Sequence, residues 1–582
     1  VEKSLTGKRW ISREADKRQS LALAQRLSVP EIVGRVLAAR GVGLEDADVF
    51  LRPTLKGLLP DPSRLKGMDT AAERLARAVM DGHGIGIFGD YDVDGATSSA
   101  LLTRFITAAG GRSATYIPDR LKEGYGPNIK ALLRLQEGGA TVIVTVDCGT
   151  SAHEPLTAAA DAGLDVIVVD HHEAEAKLPP ATAVINPNRL DDDSGQGQLA
   201  AVGVAFLLVV AVNRTLRDAG WYRDRPEPDL TQWLDLVALG TVCDVVPLTG
   251  LNRALVTQGL KVMAARNNTG LRALSDVAGL KEPPGTYHAG FLLGPRINAG
   301  GRIGESDLGS RLLGTDDIGE ATDIAHRLDE FNRERRAIEA AVLDAAMGEA
   351  KKAGDDLGPL ILVAGEGWHP GVIGIVAGRL AERFNRPACV VALDGKQATG
   401  SGRSVSGVDL GAAVIAACQA GVLIKGGGHK MAAGFTVESG RVGELREFLG
   451  DRISAHLGDG GIRPRLYLDG AMKPAAATMN LVDDLQQVGP FGSGNPEPRF
   501  VIPAARLSYA AVAGENHVRG TLTGEEGGRL AAISFNSLDT PLGQALLKSD
   551  GAPLHVAGRL RVNTWQGHSK AQLLIDDAAP AW

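Results

Sequence analysis

The distribution of apolar positions between residues 84 and 186 follows one repeated pattern: a short apolar run, a polar turn, and a segment with helical spacing. Continuous, β-branched runs of this kind are typical of strands buried on both faces of a parallel sheet. Helical segments at 128–137 and 152–162 alternate with them, which predicts a doubly wound α/β domain whose ligands bind beyond the carboxyl ends of the strands. The predicted strands are 85–88, 141–146, 165–170 and 182–186.

The pattern changes several times along the rest of the chain. Residues 316–352 carry apolar positions three and four apart, which predicts one long helix, and a second α/β pattern follows it. Five short alternating segments near the C-terminus predict a small barrel of the OB type. The fold class is therefore α/β, with two α/β lobes joined by a long helix and followed by a C-terminal β-barrel. The predicted domains are 1–74 (short helices), 75–314 (first α/β domain), 315–355 (connecting helix), 356–460 (second α/β domain) and 461–582 (barrel).

Composition narrows the class of protein only slightly. The chain has 582 residues with 62 basic and 69 acidic side chains, a balance that does not suggest a nucleic-acid binder, although a local basic groove can coexist with an acidic exterior. The longest apolar stretch, 199–212, is shorter than the ~18 residues that suggest a membrane span, and the N-terminus shows no signal peptide. Four widely spaced cysteines without a CxxC pair suit reduced thiols, so we expect a cytoplasmic protein.

Acidic and histidine side chains follow the predicted strands where each strand ends. Because parallel strands end at the same edge of a sheet, these side chains are expected to converge there. Carboxylates this close raise one another's pKa unless a cation lies between them. The residues are Asp90, Asp92 and Asp94 after the first strand, Asp147 after the second, Asp170, His171 and His172 at the end of the third, and Asp244 at the end of a later apolar segment.

Carboxylates with one or two imidazoles form a site that suits a divalent cation. Mn²⁺ accepts such mixed ligands, whereas Mg²⁺ prefers nearly all oxygen. The ligands outnumber what one ion needs, and two ions bridged by a carboxylate could clamp the oxygens of a phosphoryl centre. Taken singly, Asp147 or Asp244 is more often a helix cap. The coincidence of the triplet, Asp147 and the histidine pair at one edge favours metal binding.

Several motifs resemble those of a known family. The segments GDYDVDGATS, VTVDCGTS, VVDHHE and LGTVCDVVPL are similar to the successive motifs of the DHH phosphoesterases. Within that superfamily, further segments resemble the single-strand-specific 5′-to-3′ DNA exonucleases of bacteria, which carry DHH, DHHA1 and OB-fold domains. Together the motifs cover nearly the whole chain beyond its first few dozen residues. These further segments are 294–304, 368–380, 400–404, 426–434 and 490–498.

The resemblance implies roles for the acidic and histidine residues. It implies Mn²⁺ or Mg²⁺ as the cofactor, in two positions, with Asp147 as the bridging ligand, and His172 as a stabiliser or acid near the scissile phosphate. One departure is visible, since this chain has Phe88 where some members of the superfamily have histidine. The implied metal ligands are Asp90, Asp92, Asp94, Asp147, His171 and Asp244, and the implied catalytic residues are Asp147, His171 and His172.

The resemblance also implies substrate contacts in the glycine-containing motifs, which we predict to be loops. Arginine forks match phosphate oxygens, and small neighbours let the backbone approach. Ser401 and Arg403 are assigned to a terminal 5′-phosphate beside an anion-binding glycine nest. Aromatic residues of the barrel could stack on bases, flanked by Arg519 and Arg561. The predicted substrate-binding residues are Arg296, Asn298, Arg302, Ser401, Arg403, Gly427, Gly428 and His429, and the stacking candidates are Tyr509, Phe535 and Trp565.

The activity implied by the resemblance is release of 5′-mononucleotides from single-stranded DNA during DNA repair and recombination. The implied partners are single-stranded DNA, a single-strand-binding protein and a RecQ-type helicase, without a membrane. Two alternatives stay open. A DHH enzyme for short oligonucleotides, cyclic dinucleotides or pyrophosphate would not need the barrel, and a non-catalytic single-strand-binding scaffold would not need intact carboxylates and histidines.

Overall fold

The computed structural model describes residues 1–120, 122–352, 358–457, 463–565 and 567–581, with the side chain of Trp565 outside that description. The chain divides into two compact units. The first unit comprises residues 1–329 and 466–582, and the second comprises residues 330–465.

The N-terminal segment is mostly helical, as the sequence predicts. Short side-chain caps begin several of its helices: the Asp16 carboxylate, for example, accepts the backbone N–H of Gln19. Its elements are β1 (Arg9–Ser12), α1 (Lys17–Leu27), α2 (Glu31–Ala39), α3 (Ala47–Leu51) and α4 (Leu55–Leu58).

The first α/β domain contains a parallel sheet with the strand order β3-β2-β4-β5-β6. All four predicted strands are confirmed. Strand β3 was not predicted, because this edge strand is largely solvent-exposed and lacks an apolar run. The elements are α5 (Met68–Met80), β2 (Gly84–Gly89), α6 (Val93–Ala108), β3 (Arg112–Tyr116), α7 (Ile129–Glu137), β4 (Ala140–Val146), α8 (His153–Asp161), β5 (Asp165–Val169), β6 (Ala183–Ile185), α9 (Ala201–Asp218), α10 (Leu234–Cys243), α11 (Gly250–Ala264), α12 (Thr269–Val277), α13 (Gly294–Ile303) and α14 (Leu308–Gly314).

The long helix predicted over 316–352 is confirmed as α15 (Ile318–Lys352). The last residues of the predicted connecting domain, 353–355, lie outside the described residues. The second unit contains a mixed sheet with the strand order β10-β11-β9-β8-β7, in which only the β7–β8 pair is parallel among the described residues. Its elements are β7 (Ile361–Glu366), α16 (Pro370–Phe384), β8 (Ala388–Asp394), β9 (Gln397–Arg403), α17 (Leu410–Gln419), β10 (Lys425–His429), β11 (Ala432–Glu438) and α18 (Val442–Leu457).

The C-terminal region forms the predicted barrel. Strands β14 to β18 correspond to the five alternating segments of the sequence, and pairing of β14 with both β15 and β17 closes the sheet. The elements are β12 (Arg465–Leu468), β13 (Gly470–Ala471), α19 (Met479–Gln486), β14 (Phe500–Ala513), β15 (His517–Gly524), β16 (Gly527–Ser534), α20 (Pro541–Leu547), β17 (Pro553–Trp565) and β18 (His568–Pro580).

The N-terminal helices share one hydrophobic core with this barrel. Val36 and Leu37 are buried in the same cluster as Phe500 and Ile502. The indole N–H of Trp10 donates to the buried carboxylate of Asp577 at 2.8 Å. Residues at the two ends of the chain therefore fold together, which a reading along the sequence does not reveal. Over the described ranges, no helix is long and apolar enough to cross a membrane.

Candidate metal centre

The loop between β2 and α6 carries the first three carboxylates. Asp92 caps α6, because its Oδ1 accepts the backbone N–H groups of Asp94 (2.9 Å) and Gly95 (3.1 Å). The buried carboxylate of Asp94 accepts the N–H groups of Ala201 (2.6 Å) and Val202 (2.9 Å) at the start of α9. Helix N-termini stabilise negative charge, so two helices fix these carboxylates at the sheet edge.

Asp147 follows β4 in a left-handed backbone conformation, with φ of 61°. Its N–H donates to the carbonyl of Val169 at 3.0 Å, and its own carbonyl accepts the hydroxyl of Tyr125 at 3.0 Å. A non-glycine residue in this conformation is uncommon and is held there by its surroundings. The turn directs the Asp147 carboxylate toward His171.

The structure brings the predicted metal ligands together. Nε2 of His171 lies 3.4 Å from Oδ1 of Asp147, 3.6 Å from Oδ2 of Asp244 and 3.9 Å from Oδ2 of Asp94. Within each of three groups, one ligand atom per residue lies within 4.8 Å of the others. The groups are Asp147, His171 and His172; Asp94, His171 and Asp244; and Asp90, Asp92 and Asp147.

Three buried polar atoms of this cluster have no hydrogen-bond partner among the described residues: Oδ1 of Asp90, Nε2 of His171 and Oδ2 of Asp244. A buried polar atom without a partner is costly and rare in a folded protein. Carboxylate oxygens and an imidazole nitrogen are the donors that Mn²⁺ accepts, and the carboxylates alone suit Mg²⁺. The residues present therefore fit divalent cations.

The electrostatics of the cluster point the same way. Burial raises the pKa of Asp94 to about 7 and that of Asp244 to about 9, and neighbouring carboxylates add to both shifts. Burial also raises the pKa of Asp90 and of Asp147 well above the ordinary value. Carboxyl groups that resist ionisation in this way are relieved by a positive charge among them.

Asp170 binds the second histidine rather than a metal. Its carboxylate accepts the N–H groups of Thr150 (3.0 Å) and His171 (2.8 Å), and Oδ1 lies 2.7 Å from Nδ1 of His172. Burial opposes ionisation of Asp170, but these hydrogen bonds lower its pKa below the ordinary value. Burial likewise disfavours the imidazolium of His172, yet the Asp170 carboxylate outweighs it and raises the pKa of His172 to about 9.

His171 behaves in the opposite way. Burial, together with the neighbouring His172, lowers its pKa to about 4, so the imidazole is neutral at pH 7. Neutral imidazole is the form that ligates metals. The pKa values of the adjacent histidines thus shift in opposite directions, and the shift of His171 favours the neutral form that ligates a metal.

Phe88 lies on the apolar side of the sheet rather than in the cluster. Its side chain is fully buried in a core with Leu132 and Leu156, and its ring stacks on Tyr116 with a centroid separation of 5.8 Å. Position 88 therefore supplies no metal ligand in this chain, unlike the histidine of some members of the superfamily.

The predicted loop carrying Arg296, Asn298 and Arg302 is wrong, because these residues lie on helix α13. Nε of Arg296 donates to Asp329 at 2.9 Å, and its Nη1 donates to the carbonyl of Leu292. The glycines allow close packing instead of a turn: a Cβ on Gly301 would lie 2.6 Å from the carbonyl oxygen of Tyr91. Helix α13 thus packs directly on the loop that carries Asp90 and Asp92.

The predicted loop around Ser401 and Arg403 is also wrong, because both residues lie on strand β9. Gly400 belongs to this strand for a steric reason, since a Cβ there would collide with the ring of Phe435. Nη1 of Arg403 lies 3.3 Å from Oγ of Ser401.

The predicted anion-binding nest is a strand as well: Gly427, Gly428 and His429 belong to β10. The register nevertheless brings the predicted residues together. Gly427 pairs with Gly434, which pairs with Ser401. Ala432 likewise lies between His429 and Arg403. Their role in phosphate binding stays a prediction.

Two of the three stacking candidates on the barrel have described side chains, and both are exposed. Tyr509 is 82% exposed, and Phe535 is 53% exposed with its ring edge-on to His517. The side chain of Trp565 lies outside the described residues. Arg519 is exposed, whereas Arg561 makes a two-pronged ion pair with Glu497 at 2.9 and 2.7 Å.

Two residues on the loop after β3 contact the metal centre and were not predicted from the sequence. The guanidinium of Arg120 lies 5.0 Å from the ring centroid of Tyr91, and the hydroxyl of Tyr125 contacts Asp147. The available signal was position, because a polar loop after a strand of this sheet lies at the same edge as the carboxylates. Because β3 itself was not predicted, the loop that follows it was not assigned to that edge.

The sequence matches the DHH family, N-terminal domain, over residues 84–241 and the DHHA1 domain over residues 358–455. A parallel sheet with carboxylates and histidines at its carboxyl edge, followed by the second domain, thus defines a DHH-family protein. The C-terminal region matches the RecJ OB domain over residues 468–577.

Relatives and solved structures identify the branch of this family. The chain is 38% identical to the single-stranded-DNA-specific exonuclease RecJ of Dickeya dadantii and 36% identical to that of Escherichia coli, each over 95% of this chain and 96% of the relative. The crystal structure of RecJ from Thermus thermophilus in complex with Mn²⁺ matches with a TM-score of 0.82 and 29% identity, over 98% of this chain and 79% of that chain. The chain belongs to the RecJ family of single-stranded-DNA-specific exonucleases.

Proposed function

We propose that this protein is a metal-dependent exonuclease that degrades single-stranded DNA from the 5′ end and releases 5′-mononucleotides. The observation that carries the proposal is the buried cluster of carboxylates and His171, whose partnerless atoms fit divalent cations, in a chain of the RecJ family. The cofactor is Mn²⁺ or Mg²⁺ in two positions. The residues that would hold the ions are Asp90, Asp92, Asp94, Asp147, His171 and Asp244.

Divalent ions in such a site neutralise charge on a phosphoryl group and activate water for hydrolysis. The protein's own contribution is geometric and electrostatic. Helices α6 and α9 fix Asp92 and Asp94 through their N-terminal N–H groups. Asp170 holds His172 in its charged form 4.0 Å from Asp147, where an imidazolium can bind a phosphate oxygen or give a proton to the leaving group.

Ser401 and Arg403 bind the terminal 5′-phosphate in this proposal. Their neighbourhood on β9, together with the aligned Gly427 and His429, offers donors suited to a dianion. Capture of a terminal 5′-phosphate restricts degradation to that end of the strand and so sets its polarity. Arg302 and Asn298 on α13 contact phosphates of the strand backbone. Arg296, whose guanidinium is paired with Asp329, is assigned to the same backbone phosphates.

The barrel binds the remaining strand through exposed aromatic side chains such as Tyr509 and Phe535. We further propose that the enzyme acts in DNA repair and recombination in the cytoplasm, with a single-strand-binding protein and a RecQ-type helicase supplying its substrate. All four cysteines are free thiols, which suits a reducing compartment.

The test is a time course on internally labelled, 5′-phosphorylated single-stranded DNA with Mn²⁺, Mg²⁺ or a chelator, beside a matched blunt duplex. We expect metal-dependent release of mononucleotides from the 5′ end of the single strand alone. A strand that is bound but never shortened would support the scaffold alternative. Cleavage restricted to dinucleotides, cyclic dinucleotides or pyrophosphate would support the small-substrate alternative.

A further inference from the structure

A Gly-Tyr-Gly turn after β3 carries a side chain that the metal ligands alone do not explain. Gly124 and Gly126 both adopt left-handed backbone conformations, with φ of 83° and 84°. Side chains rarely adopt such angles, so glycine on both sides permits a tight turn with Tyr125 at its tip. The hydroxyl of Tyr125 reaches the carboxyl edge of the neighbouring strands, although the residue as a whole is 52% exposed.

The first contact of this hydroxyl is with a strained backbone. Tyr125 donates to the carbonyl of Asp147 at 3.0 Å, and Asp147 has the left-handed φ of 61°. A non-glycine residue holds such a conformation only when neighbouring contacts impose it. On the other side of the residue, the N–H of Asp147 is held by the carbonyl of Val169. Both peptide groups flanking the Asp147 side chain are therefore tied down, one of them by Tyr125.

The second contact is with His172. The oxygen of Tyr125 lies 3.3 Å from Nδ1 of His172, and the two rings meet edge to face with centroids 5.8 Å apart. The N–H at Nδ1 donates mainly to Asp170 at 2.7 Å, and the Tyr125 oxygen can accept a share of it. The hydroxyl thus links the imidazole of His172 to the carbonyl of Asp147 in one hydrogen-bonded chain.

We propose that Tyr125 is a positioning residue for hydrolysis, whose single hydroxyl fixes both the backbone of Asp147 and the imidazole of His172. The proposal rests on the proposed function above and adds a residue to it. Tyr125 acts through groups that contact the ions and the phosphate, and the step it assists is cleavage rather than strand binding. Partners that orient ligand and acid groups in this way affect metal affinity or activity by about 10- to 100-fold.

A purely structural role predicts a different result, and the chain offers a matched control. The hydroxyl of Tyr116 donates to the carboxylate of Glu123 at 2.9 Å, and Glu123 lies two residues before Tyr125 in the same loop. Tyr116→Phe also removes one hydroxyl and one contact to this region but leaves the bonds of Asp147 and His172 intact. If Tyr125 only fastened its own segment, the two Tyr→Phe variants would behave alike.

The experiment compares Tyr125→Phe and Tyr116→Phe with the unchanged protein under saturating Mn²⁺. We expect kcat of Tyr125→Phe to fall by about 10- to 100-fold while KM for single-stranded DNA changes by less than about threefold. We expect Tyr116→Phe to keep kcat within about threefold. Equal kcat losses in the two variants, or a loss confined to KM, would overturn the proposal.

A double-mutant cycle and a metal titration separate this inference from the proposed function. In a His172→Ala background, Tyr125→Phe should cost a smaller factor in kcat, because one of its targets is gone. The same factor in both backgrounds would refute the link to His172. A titration of Mn²⁺ followed by electron paramagnetic resonance should show weaker binding for Tyr125→Phe than for Tyr116→Phe, and equal affinities would refute the link to Asp147. If the unchanged protein proves inactive, the proposed function fails, whereas this titration still decides the role of Tyr125.

Discussion

The metal centre and the outer face of the barrel use polar and aromatic side chains in opposite ways. At the metal centre, Asp94 and Asp147 are buried, and atoms of Asp244 and His171 lack partners among the described residues. On the barrel, Tyr509 is 82% exposed, and the guanidinium of Arg561 is already paired with Glu497. The partnerless buried atoms of the metal centre destabilise the fold unless cations bind them. The polar groups on the barrel face are satisfied by solvent or by one another, so they need no ligand.

This difference predicts how each region responds to substitution. A buried site concentrates function in a few groups that no solvent molecule can replace, so single changes there have large effects. An exposed binding face spreads its contribution over several weak contacts, each of which water can partly replace. Substitutions at the metal centre should therefore have the largest effects on activity, and substitutions on the barrel the smallest.

Asp147→Ala should abolish hydrolysis while leaving binding of single-stranded DNA largely intact. The carboxylate belongs to two of the three candidate ligand groups, and its loss removes several kcal/mol of stabilisation of the transition state. Loss of about 4 kcal/mol corresponds to a rate reduction on the order of 10³-fold. The measurement is mononucleotide release beside a filter-binding assay on the same strand. Substantial remaining activity would contradict the two-metal assignment.

Arg403→Ala tests a residue of intermediate burial in the second unit. Because Arg403 and Ser401 are assigned to the terminal phosphate, the variant should lose about 10- to 100-fold in rate on 5′-phosphorylated strands. Its rate on 5′-hydroxyl strands should change little, so the preference for the phosphate should disappear. Equal losses on both substrates would remove Arg403 from the 5′-phosphate site and leave it a general strand contact.

The thermal stability of the metal-free protein should fall as the pH rises. In the folded state the pKa of Asp94 is raised to about 7 and that of Asp244 to about 9, against about 3.9 in an unfolded chain. Because the folded state binds these protons more tightly, their contribution to stability is complete below about pH 4 and is lost as the pH rises through 7 and 9. Differential scanning fluorimetry between pH 6 and 9 measures this trend, and saturating Mn²⁺ should reduce it.

Asp244→Asn provides the control for the pH prediction. The amide keeps the shape of the side chain but removes its charge, so the metal-free variant should have a Tm above that of the unchanged protein at pH 9. The difference should exceed about 2 °C at pH 9 and should vanish only below about pH 4, where Asp244 is protonated in both the folded and the unfolded chain. The variant should also lose activity. A pH-independent difference in Tm would show that the charge of Asp244 is not the cause.

The fold and most of the metal centre could be predicted from two features of the sequence. These are the spacing of the apolar residues and the position of the acidic residues directly after predicted strands. Continuous apolar runs marked the buried strands β2, β4 and β5, and the carboxylates directly after each run had to meet at one edge. The edge strand β3 has no such run, so the loop after it, with Tyr125, was not placed at that edge. The shared core of the N-terminal helices and the barrel depends on contacts between distant residues, which no local pattern reports.

Glycine caused the errors in local structure. Glycine-rich segments at 294–304, 400–404 and 426–429 indicated loops, yet they form a helix and two strands. At Gly301 and Gly400 the missing Cβ makes room for a carbonyl oxygen and an aromatic ring. Both a tight turn and a close contact within a helix or strand require glycine. The sequence alone does not distinguish the two cases, because the difference lies in the tertiary neighbours.

Tyr509→Ala should weaken binding of long single strands without changing the rate on strands too short to reach the barrel. Stacking of one base on an aromatic ring contributes ~1–3 kcal/mol, so affinity should fall about 5- to 100-fold. Phe535→Ala should act in the same direction with a smaller effect, because its ring is less exposed and lies against His517. Fluorescence anisotropy on strands of graded length measures both. An unchanged affinity would assign Tyr509 no part in the binding face.

Alanine substitutions of Arg519 and Arg561 on the barrel should have the smallest effects on strand binding, and the two effects should differ. Arg561 is committed to Glu497 through two bonds, whereas Arg519 is exposed at the register position opposite Ala511. A phosphate must compete with a carboxylate for Arg561 but only with water for Arg519. Arg519→Ala should therefore lower the salt dependence of strand binding by about one unit of slope, and Arg561→Ala by less. A larger effect at Arg561 would mean that the strand displaces Glu497, and Glu497→Gln would then strengthen binding.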